Sequence, residues 1–339
     1  MLEVIQNLLK KYDKNIWIMY NKENSDKYFC KYIHKNLSTK TIAVITKEKI
    51  YIIVHALDAQ NIIYADYDKN KVCILIYDDI KINMENVLED VIAELKFPKE
   101  VSFSYSTMGD AKTDVLTHGD YVYLSKFLKD IYKKYLKKVR IVSAEKLMYA
   151  LASQKTKKQI ERLKLLSGIT NTILEETFNS LKVGMSEIEI ASHTLKVMRD
   201  ITSLYINSND IITFDIAWEN CPIVLTGVNL AKGGHSIPSQ KKLLRGDTIY
   251  FDFGIKAIFE DGETLYTDMQ RMGYALAENE VFAPKDVMRV FNTLVDAIED
   301  GIDQMRPEVK GKTIDAIVRR KILKENYPDY NHATGHRSW

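Results

Sequence analysis

Carboxylates and imidazoles in the second half of the chain form a pattern that could hold a metal ion. Asp252 stands in the apolar run of residues 251–254, and Asp268 follows sixteen positions later. His332 and His336 lie four positions apart near the last residue. Carboxylate oxygens combined with imidazole nitrogens suit manganese, cobalt, zinc or iron rather than calcium alone. The residue types therefore predict a divalent-metal site.

The two aspartates are predicted to meet across a hairpin. A carboxylate buried in an apolar strand needs a compensating partner, and Asp268 falls on the next predicted strand after the turn signal of residues 260–262. Because their separation is even, we expect Asp252 and Asp268 to be directly opposed around an odd loop, for example three residues with Gly262 in the left-handed conformation. Alternatively, each aspartate caps a turn or pairs with a nearby basic residue such as Arg271.

Three histidines and a cysteine are candidate site residues. His235 lies in the glycine-rich segment 233–238, where the backbone can approach a ligand closely, although a surface histidine in a turn fits the same pattern. Gly335 and Pro328 place the pair His332 and His336 in a loop or strand rather than on one helix face. Cys221 has no evident base beside it and is interpreted as core or pocket wall.

The composition is that of an ordinary globular protein large enough for two domains, with 339 residues, 46% hydrophobic and 28% charged. The 48 basic and 46 acidic residues create no global field for nucleic acid or an anionic membrane. No apolar run approaches membrane-spanning length, and three scattered cysteines do not suggest a disulfide framework. We therefore expect a cytoplasmic protein with no nucleic-acid or membrane partner.

The chain up to about residue 145 alternates short β-branched runs with segments of helical period, which predicts an α/β layer architecture. The predicted strands are 16–20, 41–46, 49–55, 72–77, 101–105 and 139–142. The predicted helices are 84–97 and 121–136. The polar residues 46–49 should connect a hairpin, and the basic segment 132–138 is interpreted as a solvated helix face.

A second pattern follows, and the change of pattern at 145–155 predicts two domains, 1–148 and 149–339. Helical spacing predicts a helix over 157–181, and Ser186 with Glu189 forms a capping box that opens another. A β-rich region is expected from about 211 to 276, and a last helix over 313–324. Between these two, a long amphipathic helix after Pro284 carries one apolar face: Val287, Phe291, Leu294, Ile298, Ile302 and Met305.

Taken together, the motifs resemble the Xaa-Pro aminopeptidase and prolidase group of metallopeptidases, family M24, along nearly the whole chain. The segments that carry this resemblance are residues 234–238, 252–254, 267–271 and 332–336. Residues 55–58 and 114–119 are similar to stretches of the creatinase-type N-terminal domain of that group. The resemblance implies an α/β creatinase-type N-terminal domain followed by an α+β pita-bread catalytic domain.

The resemblance also implies roles for individual residues. Asp252, Asp268 and His332 would match three of the five ligands of a site for two divalent metal ions, manganese, cobalt or zinc. His235 would match the histidine that contacts the substrate, and His336 a further histidine in the pocket. The implied reaction is hydrolysis of the bond before proline in short peptides through a hydroxide that bridges the metals. Members of the group are often homodimers.

Two departures from the group shape the expectations. The loop between the aspartates is longer than usual, and the two glutamate ligands that follow the histidine segment in the group have no counterpart here. We therefore expect a C-terminally truncated domain without its last strands, with exposed apolar surface, incomplete metal occupancy and little or no activity. The alternative is a non-catalytic peptide-binding or interaction protein. A metal-free, creatinase-like C–N hydrolase is disfavoured because such chemistry would not require the two aspartates.

Overall fold

The chain divides into two compact units in a computed structural model that describes residues 2–232 and 236–336. The first unit is Met1–Gln154 and the second is Lys155–Trp339. The division lies six positions beyond the boundary predicted after residue 148 and within the predicted interval 145–155.

The first unit is built on a six-stranded mixed sheet with the order β4-β3-β2-β1-β5-β6. Its strands are β1 Ile16–Asn21, β2 Thr41–Thr46, β3 Ile50–His55, β4 Val72–Tyr77, β5 Glu100–Phe103 and β6 Arg140–Ser143. Antiparallel pairing joins β1 with β2 and β2 with β3, and parallel pairing joins the other neighbours. All six strands predicted from β-branched runs are confirmed to within two residues at each end, as is the hairpin connection at residues 46–49.

Helices cover both faces of this sheet. They are α1 Leu2–Lys11, α2 Lys27–Tyr32, α3 Ala59–Ile63, α4 Met84–Glu94, α5 His118–Lys134 and α6 Glu145–Ser153. Every residue of β1 is buried, and its side chains alternate between two cores. Trp17 and Met19 pack with residues of α1, α2 and α6, whereas Ile18 and Tyr20 pack with residues of α4 and α5. The α/β architecture predicted for this unit is thus present.

The second unit begins with two capped helices, α7 Lys157–Ser180 and α8 Glu187–Thr202. The predicted capping box of Ser186 and Glu189 is confirmed, because each side chain bonds the other residue's backbone N–H. Thr156 and Gln159 form a second box at the start of α7. These boxes satisfy backbone donors that a helix start otherwise leaves free.

Two three-stranded antiparallel sheets follow, with the orders β11-β10-β7 and β12-β9-β8. The strands are β7 Ile211–Ile216, β8 Ile223–Thr226, β9 Thr248–Phe253, β10 Ile255–Phe259, β11 Thr264–Tyr266 and β12 Met269–Tyr274. A 3₁₀ helix, Gly227–Lys232, follows β8. Phe251, Phe253 and Phe259 are fully buried against residues of α7 and α8 in the core of this unit.

The last two helices, α9 Lys285–Asp303 and α10 Gly311–Lys324, pack against each other. The contact uses Ala297 and Gly301 of α9 and Val318 of α10. The apolar stripe predicted on α9 is instead largely open: Phe291 is 42% exposed, Ile298 50% and Ile302 53%. The helix itself was correctly predicted, but its buried side is the small-residue side, because two helix backbones approach closely only where side chains are small.

Candidate metal centre

The hairpin that carries the aspartates has the predicted loop but a different register. Phe259 N–H donates to Glu263 O across a three-residue loop, and Gly262 has φ +73°, in the left-handed region. Because this loop is centred on Asp261, the residue opposite Asp252 is Gln270. The expectation that Asp268 would directly oppose Asp252 is therefore wrong; Asp268 is displaced from that partner by two residues.

Gln270 joins the two aspartates. Its Nε2 donates to Asp252 Oδ1 at 2.9 Å and to Asp268 Oδ1 at 2.8 Å. Residues two apart on a strand lie on the same face, so Gln270 and Asp268 can reach the same neighbour on β9. The structure thus brings Asp252 and Asp268 to one place, with a neutral amide donor between them.

Two further side chains, those of His336 and Tyr250, contact the aspartates. His336 Nε2 lies 3.0 Å from Asp268 Oδ2, whereas Gln270 donates to the other carboxylate oxygen, Oδ1. The phenol of Tyr250, two residues before Asp252 on β9, is a hydrogen-bond partner of Asp252, and its pKa is raised by burial and then by the charges of Asp252 and Asp268. We call Asp252, Asp268, Gln270 and His336 the carboxylate cluster.

The residue before Asp268, Thr267, is held in place by contacts with residues of the protein interior. Thr267 Oγ1 accepts from Ile255 N–H at 3.0 Å and lies 2.7 Å from Thr170 Oγ1 on α7. Gly254 packs so closely here that a Cβ would overlap the carbonyl group of Thr267. Glycine at 254 and threonine at 267 therefore set where the chain leaves β11 for Asp268.

His332 contacts residues outside the carboxylate cluster. Its Nδ1 is 2.9 Å from Ala333 O, its ring packs on Tyr330 at 4.8 Å between centroids, and its backbone oxygen accepts from Arg319. None of these three partners of His332 is Asp252 or Asp268. Its assignment as a metal ligand stays a prediction, whereas His336, predicted for the pocket, contacts Asp268.

Arg271 does not neutralise the aspartates. Its guanidinium donates to Asn171 Oδ1 at 3.0 Å and to the backbone oxygen of Gln270 at 2.9 Å. The alternative in which Arg271 pairs with Asp252 or Asp268 is therefore wrong.

His235 lies outside the described residues, and its predicted role stays a prediction. The described residues on either side of it are anchored by Glu187, whose fully buried carboxylate accepts hydrogen bonds from Thr226, Asn229 and Ser239. Burial raises the pKa of Glu187, but these hydrogen bonds outweigh burial and lower it overall.

Cys221 is buried beside Gly254, in surroundings that disfavour its thiolate. Its Sγ is 3.4 Å from both the N and the O of Gly254. Burial, with the charges of Asp252 and Asp268 as lesser causes, raises the pKa of this thiol to about 12. A thiol with such a pKa stays protonated at neutral pH and unreactive.

The donors of the cluster suit a divalent cation in type, since two carboxylates and an imidazole are common ligands of manganese, cobalt and zinc. Over residues 2–232 and 236–336, however, no three His, Cys, Asp or Glu side chains are already arranged to hold a metal ion. Gln270, which the sequence interpretation did not single out, occupies the space between the carboxylates. The sequence did contain a signal for Gln270: it lies two residues after Asp268, and residues two apart on a strand share one face.

The fold of the chain is that of the pita-bread class. The model of metallopeptidase family M24 matches residues 161–338, slightly more than half of the chain, and the chain belongs to that family. The family implies divalent metal ions. The predicted resemblance and fold class are thereby confirmed.

Curated relatives share only part of their length with this chain. The uncharacterized peptidase YqhT of Bacillus subtilis is 24% identical over 237 residues, which cover 69% of this chain and 58% of the relative. An uncharacterized peptidase of Staphylococcus epidermidis is 26% identical over 187 residues, 55% of this chain and 47% of the relative. The chain therefore spans about half of the length of these relatives.

Solved structures share the fold over more of the chain. An Xaa-Pro dipeptidase from Bacillus anthracis matches with a TM-score of 0.64 and 19% identity, over 99% of this chain and 81% of that one. Dipeptidase PepE from Mycobacterium ulcerans matches with a TM-score of 0.65 and 16% identity, over 96% and 76%. Among the described helices, none is long and apolar enough to cross a membrane.

Proposed function

We propose that this chain carries the centre of a metal-dependent peptidase of the Xaa-Pro type, which hydrolyses the bond before proline in short peptides. The observation that carries the proposal is the convergence of Asp252, Asp268 and His336 on one edge of the β9–β12 pair. The name of one similar structure, an Xaa-Pro dipeptidase, supports the substrate class.

Asp252, Asp268 and His336 are the residues that would hold a divalent cation. Asp252 and Asp268 supply two negative charges, and His336 Nε2 already lies at hydrogen-bond distance from Asp268. The proposed ligand set thus includes His336, which the resemblance places in the pocket, while His332 stays a predicted ligand. A bound divalent ion supplies Lewis-acid polarisation of a peptide carbonyl and lowers the pKa of a water molecule.

The surrounding residues orient the carboxylates. The Tyr250 phenol bonds Asp252 on the same face of β9, which fixes the rotamer of that side chain. Thr267 fixes the backbone next to Asp268. His235 is proposed to contact substrate, as the resemblance implies. A homodimer and a cytoplasmic location are likewise proposals.

The test measures hydrolysis of Xaa-Pro peptides by the purified chain with added manganese or cobalt. Since the cluster provides two carboxylates and one imidazole, we expect slow hydrolysis that a chelator abolishes. Asp252→Asn and Asp268→Asn should lose both hydrolysis and metal binding by calorimetry, and Asp303→Asn, at the exposed end of α9, should keep both.

Two outcomes would contradict the proposal. Hydrolysis that survives in Asp252→Asn would place the chemistry elsewhere. Peptide binding that needs no metal, together with no hydrolysis under any condition, would favour the non-catalytic peptide-binding alternative.

A further inference from the structure

The amide of Gln270 is placed where a cation between the two carboxylates would lie. Gln270 Nε2 is 2.9 Å from Asp252 Oδ1 and 2.8 Å from Asp268 Oδ1, so it is almost equidistant from the two oxygens. The main chain of Gln270 is fixed as well, by its ladder position opposite Asp252 and by the guanidinium of Arg271 on its backbone oxygen. The amide is therefore part of an ordered arrangement.

The chemistry of the partners determines which end of the carboxamide points inward. Ionised carboxylates only accept hydrogen bonds, so the NH₂ group, and not Oε1, must face Asp252 and Asp268. An inward Oε1 would bring a third negative oxygen towards the two carboxylates. Without a metal ion, the amide donor relieves the repulsion between the two charges, and each of its bonds to a charged acceptor is stronger than a neutral hydrogen bond.

A cation and this amide exclude each other. Manganese, zinc or magnesium binds carboxylate oxygens at roughly 2.0–2.2 Å. A cation at the position of Nε2 would therefore need each carboxylate to close by about 0.7 Å, a shift within the reach of a side-chain rotation. It would also need the same lone pairs that the amide now uses, so binding must first displace the NH₂ group.

We propose that Gln270 is a built-in competitor for the divalent cation: its amide occupies the cation position between Asp252 and Asp268 and lowers the affinity of the centre for hard divalent metals. This inference rests on the proposed function, because it takes the carboxylate cluster to be the metal centre. The inference adds Gln270 as a residue that determines the affinity of the centre for a divalent metal ion. Gln270 is a positioning residue for the metal-free cluster and not a ligand.

The experiment is calorimetric titration of the purified chain with manganese chloride alone at pH 7.5. Gln270→Ala and the similarly sized Gln270→Leu both remove the amide donor, and both should bind manganese about tenfold or more tightly than the unsubstituted chain, since two charge-assisted hydrogen bonds no longer compete. Gln304→Ala, which removes an exposed glutamine at the end of α9, should leave the affinity unchanged. Each variant is first shown to be folded by its circular dichroism and its cooperative thermal unfolding.

The titrations distinguish failure of the competitor from failure of the metal centre. If the chain binds manganese, Asp252→Asn does not, and both Gln270 variants bind no more tightly, the competitor is overturned while the metal centre stands. Weaker binding by Gln270→Ala would show that Gln270 is a ligand and also overturn the competitor. If neither the chain nor any Gln270 variant binds manganese, both proposals fail. Binding that appears only in the Gln270 variants would establish the competitor in its strongest form.

Discussion

The side-chain hydroxyls of Thr170 and Thr267 lie 2.7 Å apart in the interior of the second unit. Both residues are buried, and each hydroxyl has a second partner: Thr170 Oγ1 donates to Leu166 O, and Thr267 Oγ1 accepts from Ile255 N–H. This chain of hydrogen bonds connects α7 to the backbone immediately before Asp268. The position of a candidate metal ligand is thereby fixed by residues of the core.

Replacing Thr267 by valine should destabilise the unit more than replacing Thr170. Thr267→Val leaves the buried Ile255 N–H without its acceptor, which costs roughly 1–3 kcal/mol. Thr170→Val removes the acceptor of the Thr267 hydroxyl, but it leaves Ile255 N–H bonded to Thr267 Oγ1 and Leu166 O within the helix, so the loss should be smaller. Urea unfolding of both variants checks this order. Equal losses would show that the bond to Ile255 contributes little.

Gly254→Ala should disrupt the carboxylate cluster. The new Cβ would overlap the Thr267 carbonyl and lie 3.0 Å from Ala217 Cβ, so the strands must separate at a cost of about 3 kcal/mol or more. Gly168→Ala is the matched control, because the exposed position within α7 has open space around it and should gain about 1 kcal/mol of helix stability. Thermal unfolding measures both. A Gly254→Ala variant as stable as the unsubstituted chain would contradict the close packing.

The sequence predicted local structure well where one residue type determines it. Gly262 supplied the left-handed position of the hairpin loop, and Ser186 with Glu189 supplied a helix cap. Whether the loop was centred on Glu260 or on Asp261 was not predictable from parity, because both choices leave an odd loop. That one-residue difference moves the partner of Asp252 from Asp268 to Gln270.

Packing partners were predicted less well than elements. The helical period of α9 was correct, but the apolar residues Phe291, Ile298 and Ile302 suggested a buried side that the structure leaves open. Periodicity shows that a helix has an apolar face; it does not show which neighbour covers it. In the described part of the chain, α10 packs against the side of α9 that carries Ala297 and Gly301.

Cys221 should resist thiol reagents in the folded protein. Burial, with smaller contributions from the charges of Asp252 and Asp268, raises its thiol pKa to about 12, whereas Cys73 is exposed on β4. A disulfide reagent at pH 8 should therefore label Cys73 first and Cys221 only on unfolding, because the thiolate is the reactive form. Mass spectrometry of timed samples identifies the labelled cysteine. Labelling of Cys221 as fast as that of Cys73 would show that the interior opens readily.

Asp261→Asn should make stability less dependent on acid. Burial raises the pKa of Asp261, but hydrogen bonds from Lys158, Glu263 N–H and Arg162 outweigh burial and lower it to about 2. A lowered folded pKa means that the stabilisation is present above the ordinary value near 3.8 and is lost as the pH falls towards 2. The urea midpoint of the unsubstituted chain should therefore fall more steeply from pH 4 to pH 2 than that of the variant. Parallel pH profiles would exclude Asp261 as a source of the acid dependence.

Glu187→Gln should cost about 2–3 kcal/mol at pH 7, because an amide cannot accept every hydrogen bond that the buried carboxylate accepts from Thr226, Asn229 and Ser239. Those bonds outweigh burial and lower the pKa of Glu187 below the ordinary 4.5, so the carboxylate stabilises the fold above that pH and loses this effect as the pH falls through the folded value. The gap between Glu187→Gln and the unsubstituted chain should narrow below pH 4.5 in urea titrations.

The matched control for this prediction is Glu189→Gln on the same helical turn. Glu189 belongs to the capping box, where its Oε2 accepts from Ser186 N–H at 2.7 Å, and a glutamine oxygen can accept that bond. We therefore expect a clearly smaller loss than for Glu187→Gln. If the two variants lost the same stability, the effect at Glu187 would be that of removing any negative charge near the start of α8, and the buried hydrogen bonds across residues 226–239 would not be its cause.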